Sequence, residues 1–506
     1  MTRYRLMHFI KRCSPIKINL SVGLRVLMLM TGWFLTTTDL SAQQATALGF
    51  DNYNGSAGAM LNPAFLTNSK VYLDVNIASG DFFFENNMGY LNKDSTGFWD
   101  LVHMVTRPSY QGPDVYADTY KNHNKRNFLA SSRIQGPSLM LQDGRMAFAA
   151  GISFRTVSSG VNLPYEIVIY KGYLTDTALV NNRFDDKNFS ISTLNWAELN
   201  LNYAYDVLDR ADTKLTVGAG LKILFGIGGA YIATPQLKYS VTNTTTLNVE
   251  NYNGSIAYAL PINYDNYSDI VNQPLFKGHG IGLDIGFLFT RLKTFTDPGE
   301  KRWCAKPYAD YIYKFGISIM DIGGIRFNRH AEVHQFNDKQ ANWQQFDTVS
   351  TPSIHATMET LSTVFYGSPN ASLSDTVFFM SLPTTLSIQY DRHFDGDFYL
   401  GAYWQQPLRF HLKSVRQSPV LALIPRYETR IFGASLPLTL YNYEKLRLGA
   451  SLRFYSVTIG TEKLGTFLGI GDLTGMDFYF SIRFNLNKGR CMSYKKGACS
   501  NAGINR

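Results

Sequence analysis

Short segments that alternate strictly between large apolar residues and small or polar ones recur from about residue 70 to residue 487. In the last of them Phe478, Phe480, Ile482, Phe484 and Leu486 share one parity, and Tyr479, Ser481, Arg483, Asn485 and Asn487 the other. Successive side chains of a strand point to opposite faces, so each segment carries one apolar and one polar face. A chain made mostly of such strands must set its apolar faces against either a shared core or lipid.

Other copies are as regular. Leu199, Leu201, Tyr203, Tyr205 and Val207 alternate with Asn200, Asn202, Ala204 and Asp206. Ile281, Leu283, Ile285, Phe287 and Phe289 alternate with Gly282, Asp284, Gly286, Leu288 and Thr290. Leu446, Leu448, Ala450, Leu452 and Phe454 alternate with Arg447, Gly449, Ser451, Arg453 and Tyr455. Asp143-Gly144 and Asp395-Gly396 are hairpin signals. The count is roughly 14 to 16 strands of about ten residues, the length a tilted membrane strand needs. The expected fold is all-β, a transmembrane antiparallel up-and-down β-barrel with a partly helical insertion near the N-terminus. A soluble β-sandwich alternates in the same way and is the competing architecture. Arg, Lys and Asp beside Gly on the polar faces, and Tyr and Trp near strand ends, favour the barrel, with its wet lumen and aromatic girdles.

Charged residues make up 17% of the chain, below the roughly one quarter usual in soluble domains. The N-terminus reads as an export signal over residues 1–42. A basic region contains Arg3, Arg5, Lys11, Arg12, Lys17 and Arg25, an apolar run follows from Val26 to Leu35, and Leu40-Ser41-Ala42 offers a small-residue cleavage site. The apolar run is too short for a membrane anchor, which needs about 20 residues. Translation starting at Met7 would shorten the long basic region. Removal of residues 1–42 lowers the formal charge from +9 to about +4, so the basic balance gives no ground for a nucleic-acid partner. Cys491 and Cys499 could close a small loop in an oxidising compartment, leaving Cys304 odd, or all three could stay as thiols.

Residues 43–487 form the expected barrel and 488–506 a basic tail. The pattern breaks over residues 91–135, read as a plug or an external loop, and again near 156–190, 241–278 and 337–378, read as long outer loops. Residues 239–260 could instead extend two strands beyond the membrane. Residues 43–70, with Asn52-Tyr53-Asn54-Gly55 and Asn62-Pro63-Ala64, carry turn and breaker signals.

No catalytic residue, cofactor or metal site is expected. His330 and His334 flank Glu332 but lack an evident third ligand. Gly278, Gly280, Gly282 and Gly286 have the wrong spacing for a nucleotide loop; on a strand face they would let a lumen element come close. Asp391, Asp395 and Asp397 around the Asp395-Gly396 turn do not match a calcium loop. Catalytic triads are spatial constellations, so spacing neither reveals nor excludes a barrel-wall enzyme. The functional candidates are the ionisable residues of the polar faces: Lys222, Asp284, Lys314, Asp391, Arg447, Arg453 and Arg483. In a lumen they would pair with one another or set the preference for a permeant.

Several motifs resemble an uncharacterised outer-membrane β-barrel family of the Bacteroidota, a domain of unknown function. They are Asn54-Gly55 followed by Asn62-Pro63-Ala64, the Gly278–Gly286 stretch GHGIGLDIG, the Gly316–Gly323 stretch GISIMDIG, and the closing strand. The Leu-Ser-Ala-Gln junction at 40–43 resembles that phylum's signal peptides. In general build the chain is similar to the long-chain fatty-acid transporter class, barrels with an internal N-terminal plug. These resemblances imply an outer-membrane barrel and no established activity. Many such barrels end on an aromatic residue; Phe484 would be that residue, and the tail departs from the pattern. The expected function is a passive channel or ligand-uptake porin for a small or amphipathic solute, embedded in outer-membrane lipid. The alternatives are a non-conducting scaffold whose loops bind a protein partner of a secretion or surface-attachment system, and an outer-membrane enzyme.

Overall fold

A computed structural model describes residues 46–92, 100, 117–169, 176–210, 212–266, 274–293, 310–346, 352–408, 412–470 and 472–486. The expected signal segment, the basic tail, the three later cysteines and most of 93–116 lie outside the described residues. The strands are β1 (Leu73–Asn86), β2 (Gly89–Leu91), β3 (Ala117–Thr119), β4 (Arg126–Asp143), β5 (Met146–Leu163), β6 (Arg183–Asp209), β7 (Thr213–Asn243), β8 (Thr246–Ala259), β9 (Gly278–Leu292), β10 (Tyr311–Phe327), β11 (Ala331–Trp343), β12 (Leu373–Asp375), β13 (Phe378–Ser381), β14 (Thr385–His393), β15 (Phe398–Pro407), β16 (Val420–Glu428), β17 (Phe432–Ser435), β18 (Leu438–Tyr441), β19 (Lys445–Leu448), β20 (Ala450–Phe454), β21 (Val457–Thr461) and β22 (Gly475–Leu486).

They close an antiparallel barrel of 14 staves. The circuit runs β1, β4, β5, β6, β7, β9, β10, β13 with β14, β15, β16, β17 with β18, β19 with β20, β21 and β22, and β22 pairs back to β1 from Leu73↔Leu486 to Glu85↔Gly475. Gly144 and Gly396 turn hairpins at the terminus-bearing end with φ of 55° and 71°, as the Asp-Gly pairs predict. The connections at the other end are long, apart from the turn 442–444 between β18 and β19.

Burial in this wall is inverted. Ile281 is 62% exposed and Phe484 56%, whereas Asp284 and Arg483 are each 2% exposed. The outward parity of β5 is Met146, Phe148, Ile152 and Phe154; its inward parity is Ala147, Ala149, Ser153 and Arg155. A sandwich buries its apolar faces, so this distribution excludes it; an apolar band around the outside is a lipid-facing surface.

A barrel this wide encloses more space than inward side chains alone can fill. Residues 46–69 occupy it. A short helix (Thr46–Phe50) and two 3-10 turns (Gly55–Met60 and Pro63–Asn68) lie inside the wall, with Ala57, Asn62, Ala64 and Leu66 fully buried. Asn62 caps the second turn by accepting from the Ala64 N–H at 2.9 Å. Two wall glycines make room for it: a Cβ at Gly286 would lie 1.9 Å from Asn62 Oδ1, and one at Gly218 would lie 2.3 Å from the Ala64 nitrogen. At Gly286 this is the close approach expected of the Gly278–Gly286 face, whereas Gly278, Gly280 and Gly282 meet neighbouring wall residues. The described part of 91–135 behaves differently from its sequence pattern, because residues 126–135 form the first half of wall strand β4.

At the long-loop end the sheet continues past the lipid band. β7 pairs with β9 over Thr213–Gly226 and with β8 over Gly229–Asn243, and β8 then pairs with β11. The β7–β8 hairpin is thus the two-strand extension considered for 239–260, and the irregular stretches are shorter than their sequence patterns imply. A helix (Ile354–Tyr366), capped by Ser353 and ended by Gly367 in the left-handed region, covers this lobe through Ile354, Met358 and Leu361.

A polar clasp ties that helix to the sheet. Tyr258 donates to Glu332 Oε2 at 2.5 Å, and His355 lies 2.9 Å from Glu332 Oε1 and 2.7 Å from Asp265 Oδ1. Burial works against ionisation of Glu332, but hydrogen bonds from His334, Tyr258 and His355 outweigh it and hold the carboxyl down at about 2. Burial works against the His355 cation, and the hydrogen bonds to Asp265 and Glu332 overcome it and raise its pKa. His330 stacks on Tyr264 at 4.0 Å and His334 bonds Ser372 at 2.9 Å. Among the described residues no group of His, Cys, Asp or Glu is arranged to hold a metal ion.

Two outcomes follow from this architecture. Leu283→Arg, in the lipid band, should destabilise the protein by about 2–4 kcal/mol when unfolding is measured in vesicles, against about 0.5 kcal/mol or less at a water-exposed site. For the clasp, a raised histidine pKa means that its contribution is complete below about pH 6.5 and is lost as pH rises through the folded value. Glu332 contributes above about pH 4.5 and loses that contribution as pH falls toward about 2. Proteolysis within residues 352–366 should therefore increase on the alkaline side, and His355→Gln should remove that dependence at a cost of about 1 kcal/mol or less.

Candidate functional site

The lumen carries three polar layers, each drawing wall residues from several strands, beside an apolar cluster that includes Trp196, Leu224, Phe327 and Met380. Nearest the terminus-bearing end, the wall grips residues 51–68. Arg453 Nε donates to Asp51 Oδ2 at 2.6 Å. Asn52 Nδ2 donates to Glu428 Oε2 at 2.7 Å, and Lys314 donates to Asn52 Oδ1 at 2.8 Å. Around them Tyr311 donates to Asp391 Oδ2 at 2.6 Å, while Arg426 bridges Asp391 (2.9 Å) and Glu428 (2.6 Å). Arg483 donates to the Asn54 carbonyl and to Ser481. On the opposite side Thr67 donates to Asp206 at 2.6 Å, and Lys214 meets both Asp206 (2.8 Å) and the Thr67 carbonyl (2.9 Å). Asn62 Nδ2 donates to the Phe287 carbonyl at 3.1 Å and to Gln389 Oε1 at 3.0 Å.

The middle layer is a buried charge cluster. Arg155 makes a two-pronged bond to Asp321, both distances 2.9 Å, and lies 3.5 Å from Glu198. Lys222 reaches Asp284 at 2.8 Å and Asp321 at 2.5 Å. The Asp321 N–H donates to Asp284 at 2.7 Å, and Trp196 donates to Glu198 at 2.8 Å while stacking under Arg155. Asp321 has a φ of 59° and sits where the β9–β10 register slips between Ile319 and Ile322. That bulge turns its carboxylate inward between two cations, and aspartate tolerates the left-handed backbone better than most residues.

Near the long-loop end a third layer gathers Lys445 (2.6 Å), Arg447 (2.8 Å) and Lys463 (2.9 Å) on Glu85, with Arg447 over the Tyr441 ring at 3.8 Å. The seven candidate residues are all buried on the inner face but do not form one site. Lys222 and Asp284 join the middle cluster; Lys314, Arg453 and Arg483 bond the N-terminal segment, with Asp391 in the wall behind them; Arg447 belongs to the Glu85 layer. Asp391 is engaged by Arg426 and Tyr311, and Asp395 and Asp397 lie exposed at the turn. Arg155, Glu198 and Asp321 are the central residues that were not singled out. Arg155 and Glu198 carry the inward parity of their strands, and Asp321 lies inside the GISIMDIG stretch.

A polar cavity opens between the N-terminal segment and this cluster. Its lining includes Ser56 and Met60 on one side and Arg133, Gln135, Asn200 and Lys222 on the other. The wall beside it is irregular: β4 bulges at Gly136-Pro137 between Gln135 and Ser138, where a proline lacks the ladder N–H.

Among solved structures the chain is similar to the toluene transporter TbuX of Ralstonia pickettii, at 12% identity over 89% of this chain and 96% of that one, with a TM-score of 0.39. It is also similar to a FadL homologue of Pseudomonas aeruginosa, at 12% identity over 88% and 99% of the two chains, with a TM-score of 0.38. The translocator domain of the autotransporter NalP from Neisseria meningitidis follows at 7% identity, 82% and 88% coverage and a TM-score of 0.29. No curated protein matches the chain in sequence. Across residues 63–462, from the second 3-10 turn inside the lumen to the end of β21, the chain matches one family throughout, and it belongs to the Family of unknown function (DUF5723).

Proposed function

We propose that the chain is an integral outer-membrane protein, exported by a cleaved segment 1–42, that acts as an uptake channel for small or amphipathic solutes and is closed at rest by residues 46–69. The observation that carries this reading is how the closing segment is held. Beside apolar packing of Leu48, Phe50, Leu61 and Leu66 on the wall, it is tied by hydrogen bonds and an ion pair through Asp51, Asn52, Ser56, Asn62, Thr67 and Asn68. Each such bond contributes about 0.5–3 kcal/mol net, the larger values for those to charged groups, because water can replace either partner. A segment fixed partly by such bonds can shift and leave a passage lined by those polar groups and by an apolar cluster that includes Trp196, Leu224, Phe327 and Met380. The Asp321 cluster, which lies in the wall and in the turn of β10, would stay in place and meet whatever passes.

A second reading, a scaffold whose outer face binds a protein partner, is favoured by one observation. The β7–β8–β11 lobe and its capping helix form a structured extension beyond the lipid band, held by a core of its own around Tyr252, Phe336 and Trp343.

Planar-bilayer conductance separates the two. Gly218→Leu places a side chain where the Ala64 backbone now lies and should push residues 62–64 off the wall. With the heat-dependent gel shift retained as proof of a folded barrel, this variant should conduct at least about tenfold more than the parent, as expected for a barrel too wide to be filled by side chains. A folded variant with unchanged, negligible conductance would exclude the channel and leave the scaffold.

A further inference from the structure

Three side chains that converge on the lumen cavity have polar atoms without partners. Arg133, only 8% exposed, makes no ion pair within 4 Å among the described residues, and its Nε is buried without a hydrogen bond to any of them. Gln135 Oε1 and Asn200 Oδ1 are buried acceptors that receive nothing. The two amides cannot simply be turned over. The Ser56 hydroxyl donates to Asp74, so Ser138 gives its proton to Ser56 and accepts from Gln135 Nε2 at 3.1 Å, while Asn200 Nδ2 donates to Ser153 at 2.8 Å and to the Glu198 carboxylate at 3.3 Å; the nitrogens are committed and the oxygens remain. A buried guanidinium and two buried carbonyl oxygens left in this way are costly unless something fills the cavity and bonds to them.

The charges nearby restrict what that is. Arg155 and Lys222 already face Glu198, Asp284 and Asp321. Asp81 stands directly across the β1–β4 ladder from Arg133, and its Oδ1 is likewise buried without a partner. Three cations thus share the region with four carboxylates. A simple anion placed on Arg133 would add to an existing negative excess, and a simple cation would leave the guanidinium unmet. A molecule carrying both a carboxylate and an ammonium satisfies all three groups and leaves the balance unchanged.

Resting on the channel reading and naming its solute class, we infer that this cavity is a binding site for a small zwitterion of the amino-acid type. Its carboxylate sits on Arg133 and its ammonium on Gln135 Oε1 and Asn200 Oδ1. The Gly136-Pro137 bulge is the local feature that serves it, because a bulge re-aims the side chains beside it and Arg133 and Gln135 immediately precede this one. Met60 and Ser56 form the opposite wall, so movement of the closing segment would expose the bound solute.

The test uses the full-length protein in detergent and in liposomes with three probes of similar size: L-alanine, propionate and ethylammonium. The last two each keep one of alanine's charged groups. Titration calorimetry should show alanine binding at least about tenfold more tightly than either, and Arg133→Met should weaken alanine by about tenfold or more, as loss of a charged hydrogen-bonding partner does. Arg133→Lys should recover part of the loss, and the heat-dependent gel shift of each variant shows that the barrel is intact. Propionate binding as tightly as alanine, no alanine binding, or a folded Arg133→Met variant that binds alanine normally would each overturn the site. Liposome swelling distinguishes this from failure of the channel reading. Swelling in small solutes without alanine binding removes the site and keeps the channel, whereas alanine binding at Arg133 without entry of any solute keeps the site and removes the channel.

Discussion

The rest of this structure depends on the need to satisfy polar groups on the inside of a wall whose outside is in lipid. In an ordinary domain, alternation puts the apolar parity inward, and packing follows with little direction. Here the inward parity is polar, and an inward Arg or Asp has no bulk water at hand. A barrel of 14 staves is too wide for facing side chains to meet across it. The chain's solution is residues 46–69, a short helix and two 3-10 turns whose asparagines, serine, threonine and aspartate supply partners to many wall strands at once. Wall and segment are therefore mutually dependent: without the segment Lys314, Glu428, Asp206 and Arg453 lose partners, and without the wall the segment has nothing to fold against.

The same constraint accounts for the bulges. A regular barrel strand has one inward parity from end to end, which makes it strong as a wall and poor at placing a particular group. β10 slips register around Asp321, β4 slips against β5 at Gly136-Pro137, and β1 slips against β22 between Asn76 and Ala78. The first two each deliver an inward polar group at a position the simple alternation would not supply, at the cost of a lost ladder bond or a left-handed backbone. Both lie beside the cavity.

These devices also explain what could and could not be read from the amino-acid order. β22 and β9 were legible because nothing interrupts their alternation, and lipid on one side with a wet lumen on the other keeps it strict. Lys222, Asp284, Arg447, Arg453 and Arg483 follow directly from that parity. Asp321 does not, because between Met320 and Ile322 it reads as an isolated charge and only the bulge makes it central. The N-terminal segment shows only turn signals; that Asn62 faces Gln389 and the Phe287 carbonyl is a relation between residues hundreds of positions apart. The outer lobe was misjudged in extent for another reason. β7 is a single strand of 31 residues, and beyond the lipid its neighbours on both faces are protein, so strict alternation gives way to mixed burial that resembles a loop.

Why the middle of such a lumen should hold charges rather than apolar side chains can be argued from reversibility. Apolar packing would close the barrel firmly, since exposing it to water is unfavourable by about 25 cal/mol for each Å². An ion cluster whose members sit on the wall is different. Arg155, Lys222, Glu198, Asp284 and Asp321 come from β5, β7, β6, β9 and β10, five adjacent staves, so they neutralise one another without help from residues 46–69. The cluster stays paired whether or not the closing segment is in place, and water reaching it costs little. The layer below differs in this respect, because Asn52 there accepts from Lys314 and donates to Glu428 and couples the segment to the wall. One layer therefore resists change when the lumen is wetted, and in the proposed channel the other is the one that would have to break.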